Sequence, residues 1–263
     1  MQDIRWLVAL VREAGKRAAQ RQRELVFADR ALKEDGSVVT EVDRDIEDFL
    51  CERIHAELPE ANLVAEERAR GFAEGREWTF VIDPIDGTDG FSQKMPTWAV
   101  SVGVLDAKLE PVAGIVHAPR LGLMLTADAR GRVRDGARWV PTPAHQEALS
   151  RLSGLAISSR THHTFDLHRF PGKVRANGSA ALDLAYPAIF GGMVAALQEA
   201  GINAWDIAGA HAICQAAGCT FTYLDGHPVD YRALHAREWR LDEPLLAAKP
   251  GAALLVRSCV DLL

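Results

Sequence analysis

The segment Phe80-Val81-Ile82-Asp83-Pro84-Ile85-Asp86-Gly87-Thr88 joins an apolar strand to two carboxylates and a hydroxyl at its end. Gly87 allows a tight turn there, and Thr88-Asp89 can open the next segment. Carboxylates this close repel one another unless a cation lies between them. Oxygen ligands suit Mg²⁺, and a pair of such ions can hold both the entering and the leaving oxygen of a phosphoryl transfer. The alternative interpretation is a strand that ends in an ordinary Pro-Asp-Gly turn.

Two further segments place acids at the ends of predicted elements. Glu66 and Glu67 follow the apolar stretch 62–65, so one of them is expected at a sheet end, or both are solvated surface charges. Asp206 lies at the predicted N-terminus of an apolar helix, where one carboxylate oxygen can cap the helix while the other binds a metal. Each segment alone has an ordinary structural explanation, but several acids at strand or helix ends can converge on one site of a fold.

A fourth polar segment, 33–43, precedes a predicted helix. Thr40 and Asp43 form a capping-box pattern, although Glu is more usual than Asp at the second position. The functional interpretation is that Lys33 faces an anion and Asp43 an attacking water, with the helix N-terminus helping to hold a phosphate.

Composition and charge restrict the class of protein. The 263 residues are 48% hydrophobic and 25% charged, as in ordinary globular proteins, and the net charge of −6 argues against nucleic acid as the main ligand. A local basic patch is still compatible with this balance. The stretch 1–23 mixes Arg and Lys into an apolar pattern unlike a secretory signal, and no apolar run approaches the roughly 20 residues that span a bilayer. We therefore expect a cytoplasmic protein without a membrane partner, whose thiols are reduced and structural: Cys51, Cys214, Cys219 and Cys259.

Hydrophobic periodicity predicts a helix over residues 2 to about 28 and a second one that begins near Thr40. A meandering antiparallel sheet is expected next, with strands at 79–82, 99–105, 113–117 and 123–126. Beyond Pro141-Thr142-Pro143, helix and strand patterns alternate: strand 155–158, a helix from 180, a segment 193–197 that fits either, helix 206–217 and strand 220–223. The sequence thus predicts two halves in one compact unit, 1–140 with most of the acidic candidates and 141–263 with Asp206.

Taken in order, these motifs resemble those of the inositol monophosphatase family, whose members are Mg²⁺-dependent, lithium-sensitive phosphatases. The matching segments are Lys33…Thr40-Glu41-Val42-Asp43, Glu66-Glu67, Asp83-Pro84-Ile85-Asp86-Gly87-Thr88, Gly178-Ser179-Ala180-Ala181 and Trp205-Asp206-Ile207-Ala208. They follow the order and approximate spacing of the family, from about residue 5 to about residue 230. The resemblance implies an α+β fold built as a layered αβαβα sandwich, usually a homodimer, with the site between the two halves.

The resemblance also implies a role for each matching residue. One Mg²⁺ would be bound by Glu66, Asp83 and the carbonyl of Ile85, and a second by Asp83, Asp86 and Asp206. A third ion near Glu66 is compatible with the pattern. Thr88 with Asp43 would orient the nucleophilic water, Lys33 would face the anion, and the amides of Gly87 and Thr88 would hold phosphate oxygens. Phosphate monoesters hydrolyse extremely slowly in water, so a site of this kind suits the reaction.

The resemblance implies the substrate less narrowly. Glu199 aligns with an acid that contacts substrate hydroxyls in inositol phosphatases, and Gly178-Ser179-Ala180 falls where the family approaches the polyol. A small-molecule phosphate monoester is expected, namely inositol monophosphate or a similar polyol phosphate. Trp98 is similar to a tryptophan of the histidinol-phosphatase branch, or it is a core residue. A 3′(2′),5′-bisphosphate nucleotidase is a further alternative, and a regulatory module that binds the transcription machinery is the non-enzymatic one.

Overall fold

The computed structural model describes residues 3–25, 31–32, 38–68 and 71–263. In these ranges the helices are α1 (Arg5–Glu24), α2 (Glu41–Glu57), α3 (Thr88–Ser92), α4 (Ala180–Ile189), α5 (Ala204–Ala216), α6 (Tyr231–His235) and α7 (Ala252–Arg257). The strands are β1 (Ala31–Leu32), β2 (Val38–Val39), β3 (Asn62–Ala65), β4 (Thr79–Asp86), β5 (Ala99–Leu105), β6 (Pro111–Ala118), β7 (Leu123–Asp128), β8 (Arg132–Asp135), β9 (Arg138–Trp139), β10 (Gly154–Ile157), β11 (Phe165–Asp166), β12 (Lys173–Ala176), β13 (Met193–Gln198), β14 (Thr220–Tyr223), β15 (Leu245–Ala248) and β16 (Asp261–Leu262).

The two N-terminal helices form as the sequence predicts. α2 begins where the Thr40 amide donates a hydrogen bond to Asp43 Oδ2 at 2.9 Å, which is the predicted capping-box contact. Its buried side chains recur at helical spacing, so one face packs on the sheet. α1 is shorter than predicted, since it begins at Arg5 and ends at Glu24; residues 26–30 lie outside the described part.

The larger sheet is the predicted meander with additions. Within the described ranges its seven strands lie in the order β3-β4-β5-β6-β7-β8-β9, and the pairs from β4 onward are antiparallel. β3 adds a parallel edge beside β4. The predicted strand 79–82 was too short, because β4 continues through Asp86. Pro84 therefore lies within the strand, at an irregularity in its pairing with β5.

The second sheet has the order β12-β10-β13-β15-β14. β12, β10 and β13 are parallel, as expected for alternating strands and helices, whereas β15 pairs antiparallel with both of its neighbours. The segment 193–197, which fitted either type of element, is a strand. The result is a mixed sheet.

These elements stack into five layers, and the αβαβα sandwich implied by the resemblance is confirmed. One buried cluster joins α1 and α2 to the larger sheet, a second places α4 and α5 between the two sheets, and a third packs α7 on the outer face of the smaller sheet. The division at residue 140 stays a prediction. The larger sheet ends at Trp139 and the smaller one begins at Gly154.

Glycines let α5 lie directly on the backbone of the larger sheet. A Cβ on Gly103 of β5 would lie 2.4 Å from the Cβ of Ala208, and one on Gly114 of β6 would lie 2.3 Å from the carbonyl oxygen of Gly209. Only glycine fits at such distances. This close contact brings the first turn of α5, with Asp206, toward β4.

The cysteines fit the expectation of free, structural thiols. All four thiols are free, and Cys51, Cys214 and Cys219 are buried. Among the described residues, no helix is both long and apolar enough to cross a membrane.

Candidate active site

A bulge in β4 turns both acids of the strand toward one place. Asp83 pairs with Ser101 and Asp86 with Ala99, so between these two pairs β4 contains one residue more than β5. In a regular strand, side chains three positions apart point to opposite faces. The extra residue cancels this alternation and allows the two carboxylates to share a site.

Asp206 joins these two acids from the central helical layer. The carboxylates of Asp83, Asp86 and Asp206 each offer an oxygen within 4.8 Å of the others. The sequence indicated Asp206 as a possible helix cap, but it is the third residue of α5. The N-cap is Asn203, whose backbone amide donates a hydrogen bond to Asp206 Oδ2 at 2.6 Å. Asn and Asp are both good N-caps, which explains the shift. We call this group the three-aspartate cluster.

Burial and neighbouring negative charges disfavour the ionised form of acids in the three-aspartate cluster. Asp83 is 1% exposed and Asp86 4%. Burial raises the pKa of Asp83 well above its usual range, and the charges of Glu66, Asp86 and Asp206 raise it further. Burial also raises the pKa of Asp86 to about 6, although its hydrogen bonds oppose the shift. A divalent cation would stabilise the ionised form of every member, so the donor set fits Mg²⁺.

Asp86 is held by the start of α4. The Ser179 hydroxyl donates to Asp86 Oδ2, the Ala181 amide donates to the same oxygen at 2.9 Å, and the Ala180 amide donates to Oδ1 at 3.1 Å. Ser179 and Ala180 were predicted to contact substrate, and in this structure they contact a predicted metal ligand. The α4 N-terminus favours the negative charge that it holds.

The turns on either side of this contact depend on glycine. Gly87 precedes α3 with φ +92°, and Gly178 precedes Ser179 with φ +86°. A Cβ on Gly87 would lie 2.7 Å from the carbonyl oxygen of Gly178. The two predicted substrate-binding glycines therefore lie against each other, next to Asp86.

Thr88 connects the larger sheet to α2. Its Oγ1 lies 2.8 Å from Asp43 Oδ1 and 2.9 Å from the carbonyl oxygen of Ile85. Asp43 is fully buried and also accepts hydrogen bonds from the Thr40 amide and hydroxyl. Burial raises the pKa of Asp43 to about 6 against these hydrogen bonds. Asp43 and Thr88, predicted as a pair, are therefore in direct contact.

Glu66 lies beside Asp83 through strand register. Ala65 of β3 pairs with Ile82 of β4, so the next residues along the two parallel strands are Glu66 and Asp83. Glu66 is half-buried and outside the three-aspartate cluster. Lys33 lies outside the described residues.

Glu199 follows β13, and its partners follow the neighbouring strand β10. The Ser158 hydroxyl donates to Glu199 Oε2, and Thr161 Oγ1 lies 3.4 Å from the same oxygen. Among the described residues, Glu199 lies outside the three-aspartate cluster. Trp98 packs edge-to-face on Phe91 with ring centroids 4.9 Å apart and is fully buried, so its interpretation as a core residue is confirmed.

Two buried acids near the cluster were missed from the sequence. Glu47 of α2 accepts the Glu67 amide at 2.6 Å, which fixes the chain just after Glu66. Asp183 of α4 accepts a hydrogen bond from the Asn177 amide, and burial raises its pKa to about 8, with a further contribution from the charge of Asp86. A lone acid within the apolar run 180–189 was the available signal for Asp183.

With this geometry described, comparison with known proteins defines the class. The model of the inositol monophosphatase family matches residues 2–250, and the chain belongs to that family. An inositol-1-monophosphatase of Mesorhizobium japonicum is 28% identical over 84% of this chain and 85% of its own length. A histidinol-phosphatase of Streptomyces coelicolor is 30% identical over 74% of this chain and 77% of its own length. The Nus factor SuhB of Pasteurella multocida is 31% identical over 84% of this chain and 88% of its own length.

Solved structures show the same fold at low identity. An IMPase of Thermotoga maritima superposes with a TM-score of 0.82 at 22% identity, covering 97% of this chain and 94% of its own. Staphylococcal inositol monophosphatase-1, solved as an inhibitory complex after a LiCl soak, superposes with a TM-score of 0.82 at 16% identity and covers 97% of this chain and 92% of its own. The fold and the family are thereby established, and family membership supports a phosphatase.

Proposed function

We propose that this protein is a Mg²⁺-dependent phosphatase that hydrolyses a small phosphate monoester, namely inositol monophosphate or a similar polyol phosphate. The observation that carries the proposal is the three-aspartate cluster, in which each carboxylate offers an oxygen within 4.8 Å of the others and the neighbouring negative charges raise the pKa of buried Asp83. Family membership supports the same reaction class. Structural ion pairs also shift pKa values, but here burial raises the pKa of both Asp83 and Asp86, and neighbouring negative charges raise that of Asp83 further.

The proposed metal ligands are Glu66, Asp83, Asp86, Asp206 and the carbonyl of Ile85, which together offer enough oxygens for two or three ions. When bound, Mg²⁺ would acidify a water and neutralise charge on the transferring phosphoryl group. The α4 contacts keep Asp86 in place, and the α5 N-terminus does the same for Asp206 through the Asn203 amide. Both acids are thus oriented by backbone groups before any ligand arrives.

Asp43 and Thr88 are proposed to handle the proton of the attacking water. With a pKa near 6, Asp43 is ionised at neutral pH and accepts a hydrogen bond from the Thr88 hydroxyl. The lone pairs of Thr88 Oγ1 are then available to accept a hydrogen bond from the water, which aligns it. The amides of Gly87 and Thr88 are proposed to hold phosphate oxygens, and Lys33 to face the same anion.

Glu199 is proposed to select the alcohol part of the substrate. Its carboxylate, with the hydroxyls of Ser158 and Thr161, offers acceptors to vicinal hydroxyl groups. A carboxylate would equally pair with an ammonium, and the similarity to a histidinol-phosphatase supports histidinol phosphate as the second candidate substrate. Ser179 and Ala180 would reach the leaving group only after giving up their contacts with Asp86.

The deciding experiment measures phosphate release with Mg²⁺ from inositol 1-phosphate, histidinol phosphate and 3′-phosphoadenosine 5′-phosphate. Asp86→Asn should abolish release, whereas Asp225→Asn, which removes the same charge from an exposed turn, should not change it. Release that persists in Asp86→Asn would refute the metal assignment. One dominant substrate would identify the branch.

The relative named as a Nus factor supports a non-enzymatic candidate, a regulatory module of the transcription machinery. RNA polymerase captured from cell extract by the Asp86→Asn protein would favour it, together with absence of turnover by the unmodified protein. The homodimer and the cytoplasmic location remain predictions, which sedimentation and cell fractionation would test.

A further inference from the structure

An open groove of about 640 Å³ lies between the start of α1 and the β7–β8 hairpin. Among the described residues, it is lined by an unusual concentration of guanidinium groups: Arg5, Arg12, Arg130, Arg132 and Arg134. We call it the arginine groove. It shares no lining residue with the three-aspartate cluster, which is carried by β4 and α5.

Two of these arginines are paired and three are not. Arg5 bonds Asp3 at 2.6 Å and Arg132 bonds Asp128 at 2.6 Å. Within the part of the chain that the structure describes, the remaining three make no ion pair, so the groove has an excess of three positive charges in a protein whose net charge is −6. Such a local reversal of sign concentrates anions.

The hairpin holds its arginines in place. Alternation along β8 puts Arg132 and Arg134 on one face, with Val133 buried on the other. The guanidinium of Arg134 lies 3.5 Å from the ring centroid of Trp139. Asp128 Oδ1 accepts the Arg130 amide at 3.0 Å, which orders the turn between β7 and β8. The side chains of Arg134, stacked on Trp139, and of Arg132, paired with Asp128, therefore lose less entropy when they bind a ligand.

We propose that the arginine groove binds a small oligophosphate, an anion with two or more linked phosphate groups. Guanidinium forks match phosphate oxygens with paired hydrogen bonds, and three unpaired ones match the three or four charges of a short phosphate chain. The volume is in the usual range of about 300–1,000 Å³ for small-ligand sites. The anion can be free inorganic oligophosphate or the triphosphate of a nucleotide.

Titration calorimetry with the full chain in EDTA and about 50 mM salt tests this proposal. Without divalent cations, the three-aspartate cluster repels anions, so binding there does not compete. The probes are tripolyphosphate, ATP and citrate. The variant Arg12→Gln/Arg134→Gln removes two unpaired charges, and Arg53→Gln/Arg138→Gln removes the same number from outside the groove.

We expect saturable binding of one tripolyphosphate per chain, weakened at least tenfold in Arg12→Gln/Arg134→Gln and within twofold of normal in the control. Binding of citrate should be weaker, because its carboxylates lack the phosphate geometry. ATP binding equal to that of tripolyphosphate identifies the phosphate chain as the ligand, and tighter ATP binding identifies a nucleotide. Arg130→Gln, on an exposed turn, repeats the test without disturbing the packing on Trp139.

No saturable binding, or an equal loss in both double variants, would overturn the proposal, since the second result reflects net charge alone. Loss in Asp86→Asn with retention in Arg12→Gln/Arg134→Gln would move the ligand to the three-aspartate cluster. None of these readouts depends on turnover, so they remain decisive whether or not the protein is a phosphatase.

Discussion

Replacing Gly103 with alanine should displace α5 and with it Asp206. The added Cβ would lie 2.4 Å from the Cβ of Ala208 and 2.7 Å from its carbonyl carbon, where ordinary contacts begin near 3.4 Å. The neighbours include helix backbone, which cannot rotate away as a side chain does. α5 must therefore move by about 1 Å, and Asp206 lies only two residues before Ala208.

The expected cost can be divided between stability and activity. Overpacking of this kind costs about 1–3 kcal/mol, which for a domain of this size lowers the melting temperature by roughly 2–4 °C per kcal/mol. A shift of about 1 Å in a catalytic group can reduce the rate about 100-fold. We therefore expect a folded variant whose Mg²⁺-dependent phosphate release falls far more than its stability suggests.

Phosphate release titrated with Mg²⁺, together with thermal melts in EDTA, checks this expectation. Gly191→Ala is the matched control, because a Cβ there meets nothing within 4 Å. A folded Gly103→Ala protein with unchanged Mg²⁺ dependence and rate would refute the reasoning that α5 sets the position of Asp206, a proposed metal ligand.

Three other predictions follow from the buried acids and their contacts. The pKa of Asp86, about 6, is above its value in the unfolded chain, so the stability of the metal-free protein falls as the pH rises from about 4 to 6. Because Mg²⁺ would bind the ionised carboxylates, Mg²⁺ at 100 times its Kd should add roughly 5–10 °C to the melting temperature at pH 7.5, and the same concentration should add much less at pH 5. Asp183→Asn should stabilise the protein relative to the unmodified chain increasingly from pH 5 to 8, by up to about 1.4 kcal/mol per pH unit, because folded Asp183 keeps a proton that the unfolded chain releases. If urea unfolding gives the same difference in free energy between the two proteins at pH 5 and at pH 8, this prediction is wrong. Thr88→Val should lower kcat by about 10²–10⁴-fold in steady-state assays while thermal melts show a normal Mg²⁺-induced shift. Loss of that thermal shift would instead assign Thr88 a structural role.

Local signals in the sequence were sufficient for the elements that local chemistry determines. α2 could be predicted because Thr40, Asp43 and the apolar spacing all indicate the same helix. The end of β4 could not, since Pro84 and Gly87 usually mark a turn, while the structure uses Pro84 at a bulge. β8 was not predicted, because Val133 is its only buried apolar residue and the arginines on either side of it leave no apolar alternation to recognise.

The convergence of the site depends on tertiary contacts that no spacing reveals. Acids at strand and helix ends could be listed from the sequence, but the contact of α5 with the larger sheet depends on Gly103 and Gly114, which have no acidic signature. The pairing of Asp86 with the start of α4 is equally distant in sequence. The arginine groove likewise combines α1 with the β7–β8 hairpin, so its charge is invisible in a net charge of −6.

The long sequence separation within the three-aspartate cluster has a consequence for synthesis of the chain. Asp206 comes 120 positions after Asp86, so a ribosome adding roughly 5–20 residues per second makes β4 about 6–24 s before α5 exists. During that interval the nascent chain offers two neighbouring acids and no enclosed site. If the three-aspartate cluster binds a cation as proposed, tight binding there can begin only when α5 has docked between the two sheets. Metal uptake by this cluster would thus report the docking of α5, and a chain arrested before α5 should lack the ion that Asp206 is proposed to bind.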